Sequence, residues 1–164
     1  MKNYICIDGK KAELTSKQLK ALGIEIKEDN IFELRLDDKV QYYIDCFGEV
    51  HASPFSDNGN KHLHEVANYC TDKELLQQRA LQETLNRLLW RYSMEHDGDK
   101  IDWNDYSTSK YYICYNHQLQ IYDCYSLGWS STFGAPYFYS KEVAKNAIKE
   151  IVEPFMREHP EFKL

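Results

Sequence analysis

The tripeptide Tyr42-Tyr43-Ile44 returns 69 residues later as Tyr111-Tyr112-Ile113, and the residues that follow each copy are alike. Each reads as a strand, a reversal, a second strand, a polar loop, a short aromatic strand and a helix. A unit of that kind has one apolar face that it cannot bury alone, so two copies are expected to pack on one another. With no gap inserted, the same shift pairs Val50 with Leu119, Gly59 with Gly128, Tyr69 with Phe138 and Thr71 with Ser140. Beyond the cap the helix stripes drift out of register. The expected fold is α+β, with antiparallel strands and helices packed mainly on one face. Its parts are an N-terminal hairpin-helix-strand element (1–37), a first repeat (38–95), an acidic connector (96–109) and a second repeat (110–164). All are expected to form one compact unit.

In the N-terminal element, residues 3–7 read as a strand and 10–14 as its partner, with Asp8-Gly9 supplying a tight turn. Thr15 and Gln18 form a capping box, flanked by Leu14 and Leu19 at staple positions. Gly23 provides a left-handed stop, with Ile24 folding back onto Leu19. Residues 31–36 alternate as a strand does.

In the first repeat, Val40, Tyr42, Ile44 and Cys46 share one face of a strand, and Gln41, Tyr43 and Asp45 share the other. Phe47-Gly48 is the reversal and 49–52 the return. Residues 53–64 read as a turn-rich loop, and 66–70 as a short strand. Thr71 and Glu74 make a second capping box for a helix over about 72–95. Its apolar stripe is Leu81, Leu85, Leu88, Leu89 and Tyr92. Arg79, Glu83, Arg87 and Arg91 line another face at four-residue steps, with Glu83 and Arg87 in the favourable order for a pair. In the second repeat Tyr111, Ile113 and Tyr115 alternate with Tyr112 and Cys114, and Asn116-His117 is the turn. Leu119 and Ile121 are then expected inward and Tyr122 outward. A loop with Trp129 leads to the strand 137–139. Ser140 caps a final helix, which Pro154 kinks or restarts.

Chemistry is sparse. The net charge is −6, and residues 38–95 and 96–164 each carry −3. No basic block exists to neutralise phosphates, which disfavours strong non-specific nucleic-acid binding. Five cysteines, at 6, 46, 70, 114 and 124, are odd in number and widely spaced, which suits reduced thiols in a cytoplasm. No window has the length or apolarity of a membrane span or a signal peptide. His62-x-His64, with His51 and Cys46 or Cys70 nearby, is the nearest approach to a metal set. It lacks C-x-x-C and H-E-x-x-H and falls in an expected loop, so these read as surface histidines. No phosphate cradle and no nucleophile with a base and orienter occur, so no catalytic residue and no cofactor are assigned. What remains is aromatic. Thirteen tyrosines stand against seven phenylalanines, and Tyr43, Tyr112 and Tyr122 are expected on an open sheet face. With Trp129, Arg87 and Arg91 they are the candidate binding residues.

The junctions Asn68-Tyr69-Cys70-Thr71-Asp72-Lys73-Glu74 and Tyr137-Phe138-Tyr139-Ser140-Lys141-Glu142-Val143-Ala144 resemble an N-Y-F-x-T-x-E-E-A motif. That motif belongs to small phage and prophage proteins of low-GC Gram-positive bacteria, in which a K-Y-Y-I strand often precedes it, as Lys110 to Ile113 does in this chain. The likeness covers about 39–155. The chain departs from it at Ala67, where the family commonly has Gly, and at Cys70, where it has Phe. The resemblance implies a phage-borne accessory protein, such as an antagonist of a bacterial defence system of the anti-CRISPR kind, and brings no catalytic residues. The leading expectation is a non-enzymatic cytoplasmic protein that binds and blocks a protein partner. The alternatives are a single-stranded nucleic-acid binder stacking bases on Tyr43, Tyr112 and Tyr122, and a small metal-dependent hydrolase or nuclease using His51, His62 or His64.

Overall fold

A computed structural model describes residues 4–7, 10–23, 30–32, 40–53, 57–132 and 134–163. It has α+β architecture in two units, Met1–Glu33 and Leu34–Leu164, each described by itself. In the first, β1 (Tyr4–Ile7) pairs antiparallel with β2 (Lys10–Glu13), and α1 (Ser16–Ala21) follows. The capping box forms as expected: Thr15 N–H donates to Gln18 Oε1 at 2.9 Å, and Gln18 N–H donates to Thr15 Oγ1 at 3.3 Å. Gly23 takes the positive φ, +70°, of a helix stop. Ile31 and Phe32, expected to begin a strand, lie in a turn. The rest of that strand, the Asp8-Gly9 turn and Ile24 lie outside the described residues.

The larger unit contains two hairpins on a helical layer. The first joins β3 (Tyr42–Ile44) to β4 (Val50–Ala52), with Tyr42 opposite Ala52 and Ile44 opposite Val50. The strand is shorter than expected, and Val40 and Cys46 are exposed. The segment expected as a loop contains a helix, α2 (Asp57–Glu65). Its glycine and asparagines are poor helix formers, but propensity is a weak prior. A buried contact outweighs it: Ser53 Oγ donates to Asn60 Oδ1 at 2.5 Å. A long helix, α3 (Lys73–Glu95), follows. Asp72, one residue beyond the expected Thr71, is its cap and accepts from Leu75 N–H at 2.9 Å.

The second hairpin is longer. β5 (Lys110–Asn116) and β6 (Ile121–Leu127) pair throughout, with Tyr115 opposite Tyr122 and Ile113 opposite Cys124. Its turn occupies 117–120, with Gln120 at φ +57° and Asn116 Oδ1 accepting from Gln118 and Leu119 N–H. Opposed residues of an antiparallel pair share a face. Odd positions of β5 therefore go with even positions of β6, and Tyr122 and Cys124 turn inward beside Ile113. Leu119 (62% exposed) and Ile121 (47%), expected inward, face outward. After a loop come α4 (Lys141–Ala147), a π turn (Ile148–Val152) and α5 (Glu153–Glu158). Pro154 has no N–H for a carbonyl one turn back, and the π turn takes up the change of frame just before it. Ser140 caps α4 as expected, accepting from Val143 N–H at 3.2 Å.

Each hairpin receives a third, one-residue strand. Tyr42 exchanges two backbone hydrogen bonds with Cys70, and Tyr111 exchanges two with Phe138. Beyond the loops the equivalence is thus 68 residues, one less than the ungapped shift. Tyr69 matches Tyr137, and Asp72 matches Ser140. Leu76 and Ala80 now match Ala144 and Ile148, and all four are buried. With this offset the stripes do not drift but stay in register for two turns.

The core joins α3 (Leu85, Leu89, Tyr92) to Cys124, Phe138 and the C-terminal helices (Ala144, Val152, Phe155). Burying side chains of this size against one another is the main stabilising term, roughly 1.5–3 kcal/mol for each large one. The tail is fixed to α3 by Gln78, whose amide bonds the backbone of Glu161 and Lys163 at 2.9 and 2.7 Å. No helix among the described residues is long and apolar enough to cross a membrane.

Candidate functional site

The outer face and open end of the β5–β6 hairpin gather aromatic rings. Tyr112 and Tyr125 oppose each other across the strands, with centroids 6.3 Å apart. Tyr137 lies 5.7 Å from Tyr112, and Trp103 stands edge-on to Tyr137 at 5.0 Å. Such tilted and edge-on arrangements are those that aromatic quadrupoles favour. Tyr137 is buried and Tyr112 half-buried, so these two form the base. Trp103 and Tyr125 are exposed beside it, and Tyr106 (68%) and Trp129 (82%) are exposed on the loops that precede β5 and follow β6.

Trp103 and Tyr106 come from the acidic connector, which is a folded loop and not a loose tether. Asp102 Oδ1 accepts from Asn104 N–H at 2.8 Å, and Asp105 Oδ1 accepts from Ser107 N–H at 2.9 Å and Ser107 Oγ at 2.6 Å. The two Ser107 bonds, together with Thr108 and the nearby Lys110, hold the Asp105 carboxyl well below the usual carboxylate range, Ser107 contributing most. Lys110 is buried, and its Nζ donates to the Asp105 carbonyl, tying the loop to the first residue of β5. Two glycines permit the close approach. A Cβ on Gly98 would stand 2.7 Å from the Ser93 carbonyl oxygen, and one on Gly128 would stand 2.9 Å from that of Tyr106. Gly128 therefore lets the Tyr106 backbone pack against the chain just before Trp129. Within the loop Lys100 pairs with Asp97 at 2.7 Å, while exposed Asp99 and Asp102 form no ion pair among the described residues.

Other expected site residues fall elsewhere. Tyr43 is on the first hairpin, half-buried, its ring 6.0 Å from that of His51. Tyr122, expected on the outer face, packs inward on the core with its hydroxyl buried and without a hydrogen-bond partner among the described residues. Burial, more than the neighbouring Tyr115, raises its pKa. A three-tyrosine stacking face is therefore not assembled. Arg87 and Arg91 are exposed on α3, but the expected Glu83–Arg87 pair is replaced by Arg79–Glu83 at 2.7 Å. Arg87 donates instead to Thr84 Oγ1 at 3.1 Å and lies against Gly48 of the first hairpin turn.

The three histidines do not come together. His62 pairs with Glu65 at 3.4 Å and His64 meets the edge of Tyr69, both from α2. His51 sits in the first hairpin with Asp45 and Glu49, the three ligand atoms lying within 4.8 Å of one another. Asp45 Oδ1 accepts from Phe47 and Glu49 N–H at 2.8 and 2.9 Å, leaving Oδ2 3.1 Å from His51 Nε2. Ligands of one tetrahedral ion with bonds near 2.0–2.1 Å stand about 3.3 Å apart, so the trio is able to hold a divalent cation. An imidazolium between two carboxylates gives the same spacing, and the trio carries no metal assignment. Cys114 and Cys124 are on paired strands but on opposite faces, and burial raises the Cys114 thiol.

Reading by residue type missed Trp103, Tyr106 and Tyr125. Two aromatic side chains in an otherwise acidic, polar connector are the signal that could have marked them. No family model, curated protein or solved structure matches this chain.

Proposed function

We propose that this chain is a protein-binding module whose contact surface is the aromatic platform at the open end of the β5–β6 hairpin. The observation that supports it is Trp103 and Tyr106 left exposed on a connector pinned by the buried Lys110 and by Gly98, with the exposed Trp129 on the loop after β6, whose Gly128 the Tyr106 carbonyl approaches. Large rings that are rigidly placed lose little entropy on binding and are the side chains that most often anchor protein interfaces. The partner surface is basic. Asp99 and Asp102, on the same connector as Trp103 and Tyr106, form no ion pair among the described residues, and opposite charge would steer and orient a cationic protein face. The same carboxylates repel a phosphate backbone, which argues against the nucleic-acid alternative. The resemblance to phage and prophage proteins extends the proposal to a host protein, such as a defence effector, disabled by occlusion.

The test is capture from host cells by the wild-type chain and by the Trp103→Ala/Trp129→Ala double variant, with Trp90→Ala as an exposed control on α3. One protein should be held by wild type and by the control and lost by the double variant, at unchanged melting temperature, with binding weakened by salt. Retention by the double variant would sink the reading, as would tight binding of an oligonucleotide at low salt.

A further inference from the structure

The larger unit has a cleft of about 340 Å³ that the aromatic platform does not use. One wall is α3, one is the β5–β6 hairpin, and the loop at 134–136 closes a side. Its apolar lining includes Leu85, Leu89 and Ile113, together with the buried Phe138 and Val152. No lining residue is charged. Among them are Gln82 and Asn86, four apart on α3 and so on the same side of the helix. Neither amide makes a hydrogen bond among the described residues. Tyr122, which also lines the cleft, is the residue whose buried hydroxyl lacks a partner.

We infer that this cleft binds a small, uncharged, planar molecule carrying a hydrogen-bond donor and acceptor on one edge, an aromatic amide or a neutral nitrogen heterocycle in type. The volume falls within the range of small-molecule sites, and such sites combine apolar walls with a few polar groups that set orientation. A carboxamide both donates and accepts, so Gln82 and Asn86 together match an edge that offers both. A charged ligand would leave water for a cleft with no counter-ion, which is costly, so neutrality is the selecting property. The inference rests on the cleft alone and stands or falls apart from the protein-binding surface.

Three compounds of one shape test it: benzamide (neutral), benzoate (anionic) and benzamidine (cationic). Each is titrated into the full chain and followed by NMR of the Gln82 and Asn86 side-chain amides and the Leu89 and Ile113 methyls. Benzamide should give saturable shifts at those groups with a dissociation constant of about 1 mM, as its few atoms allow. The two ions should bind at least ~10-fold more weakly. Gln82→Met/Asn86→Leu should weaken benzamide by about 10-fold and leave the spectrum dispersed, and Asn86→Trp should block the cleft. No saturable shift at the solubility limit, equal binding of all three compounds, or undiminished binding to Asn86→Trp would overturn the assignment.

Discussion

The two hairpins of the larger unit start from the same frame and are secured by different chemistry. Each begins with a buried polar residue (Gln41 or Lys110) and a Tyr-Tyr-Ile strand, and each receives one residue of a third strand. In the first, the third position is Cys70 and the locking groups are polar. The Asn68 side chain bonds Ile44 as a strand would, accepting from its N–H at 2.8 Å and donating to its carbonyl at 2.7 Å. In the second, Pro136 stands where Asn68 would, and the lock is Phe138, fully buried in the core. Strands of three residues held by side-chain amides leave little surface for binding. Strands of seven residues over an apolar anchor expose a broad outer face and leave a cleft beneath. The two hairpins thus share a backbone frame, and the differences between them leave the broad outer face and the cleft on the second.

The largest contrast lies at the matched third-strand position. Phe138→Ala should cost about 3–5 kcal/mol, enough to unfold much of the larger unit. Cys70→Ala at the matching site should cost only about 1 kcal/mol. Chemical denaturation of the two variants checks this, and equal losses would break the claim that the hairpins are locked differently.

Asn68→Ala comes next. It strips both bonds from Ile44, and leaving half-buried backbone groups unmatched costs about 1–3 kcal/mol. Hydrogen exchange should show lost protection at Ile44 while Ile113 is unchanged. Loss at both amides would mean that the hairpins unfold as one.

A smaller effect of opposite sign is expected at Ala67. Asn68 N–H bonds the Leu63 carbonyl at 2.8 Å and Ala67 N–H bonds that of His64 at 2.9 Å, which closes α2 with Ala67 at φ +54°. An L-residue pays roughly 1–2 kcal/mol for that conformation, and glycine's greater unfolded freedom returns part of it. Ala67→Gly should therefore stabilise the protein by about 0.5–1 kcal/mol, read as a raised melting temperature.

These cases show what was legible before the structure. Signals spanning three or four residues read correctly: the Thr15 and Ser140 caps, the stripe of α3 and both hairpins. Two local signals were off, the cap of α3 falling on Asp72 and not Thr71 and Glu83 pairing with Arg79 and not Arg87; the larger misreadings arose where a distant partner decides. Asn60 is a poor helix former until Ser53 bonds it, and Tyr122 appears outward until the strand register is known. Of the platform, Tyr112 and Trp129 were marked in advance. Trp103 and Tyr106 join it only through the folding of the connector onto Gly128 and Lys110, and the cleft draws on residues from 82 to 152.

The smallest expected effect separates the two hairpin turns by charge. The first is held by the Asp45 carboxylate, accepting from Phe47 and Glu49 N–H, and the second by the neutral Asn116 amide, accepting from Gln118 and Leu119 N–H. The Asp45 carboxyl lies below its ordinary pKa, chiefly through the Glu49 amide, with the Phe47 amide and His51 adding to it. A carboxyl whose pKa is depressed by folding stabilises the fold above its unfolded value, near 3.9, and that contribution fades as pH falls through the lower folded value. Acidification below about pH 4 should therefore loosen the Phe47 and Glu49 amides while Gln118 and Leu119 stay protected. Asp45→Asn, which keeps an acceptor oxygen and removes the titration, should make the two turns respond alike. Parallel loss at both turns in the wild-type chain would show that the carboxylate is not what holds the first.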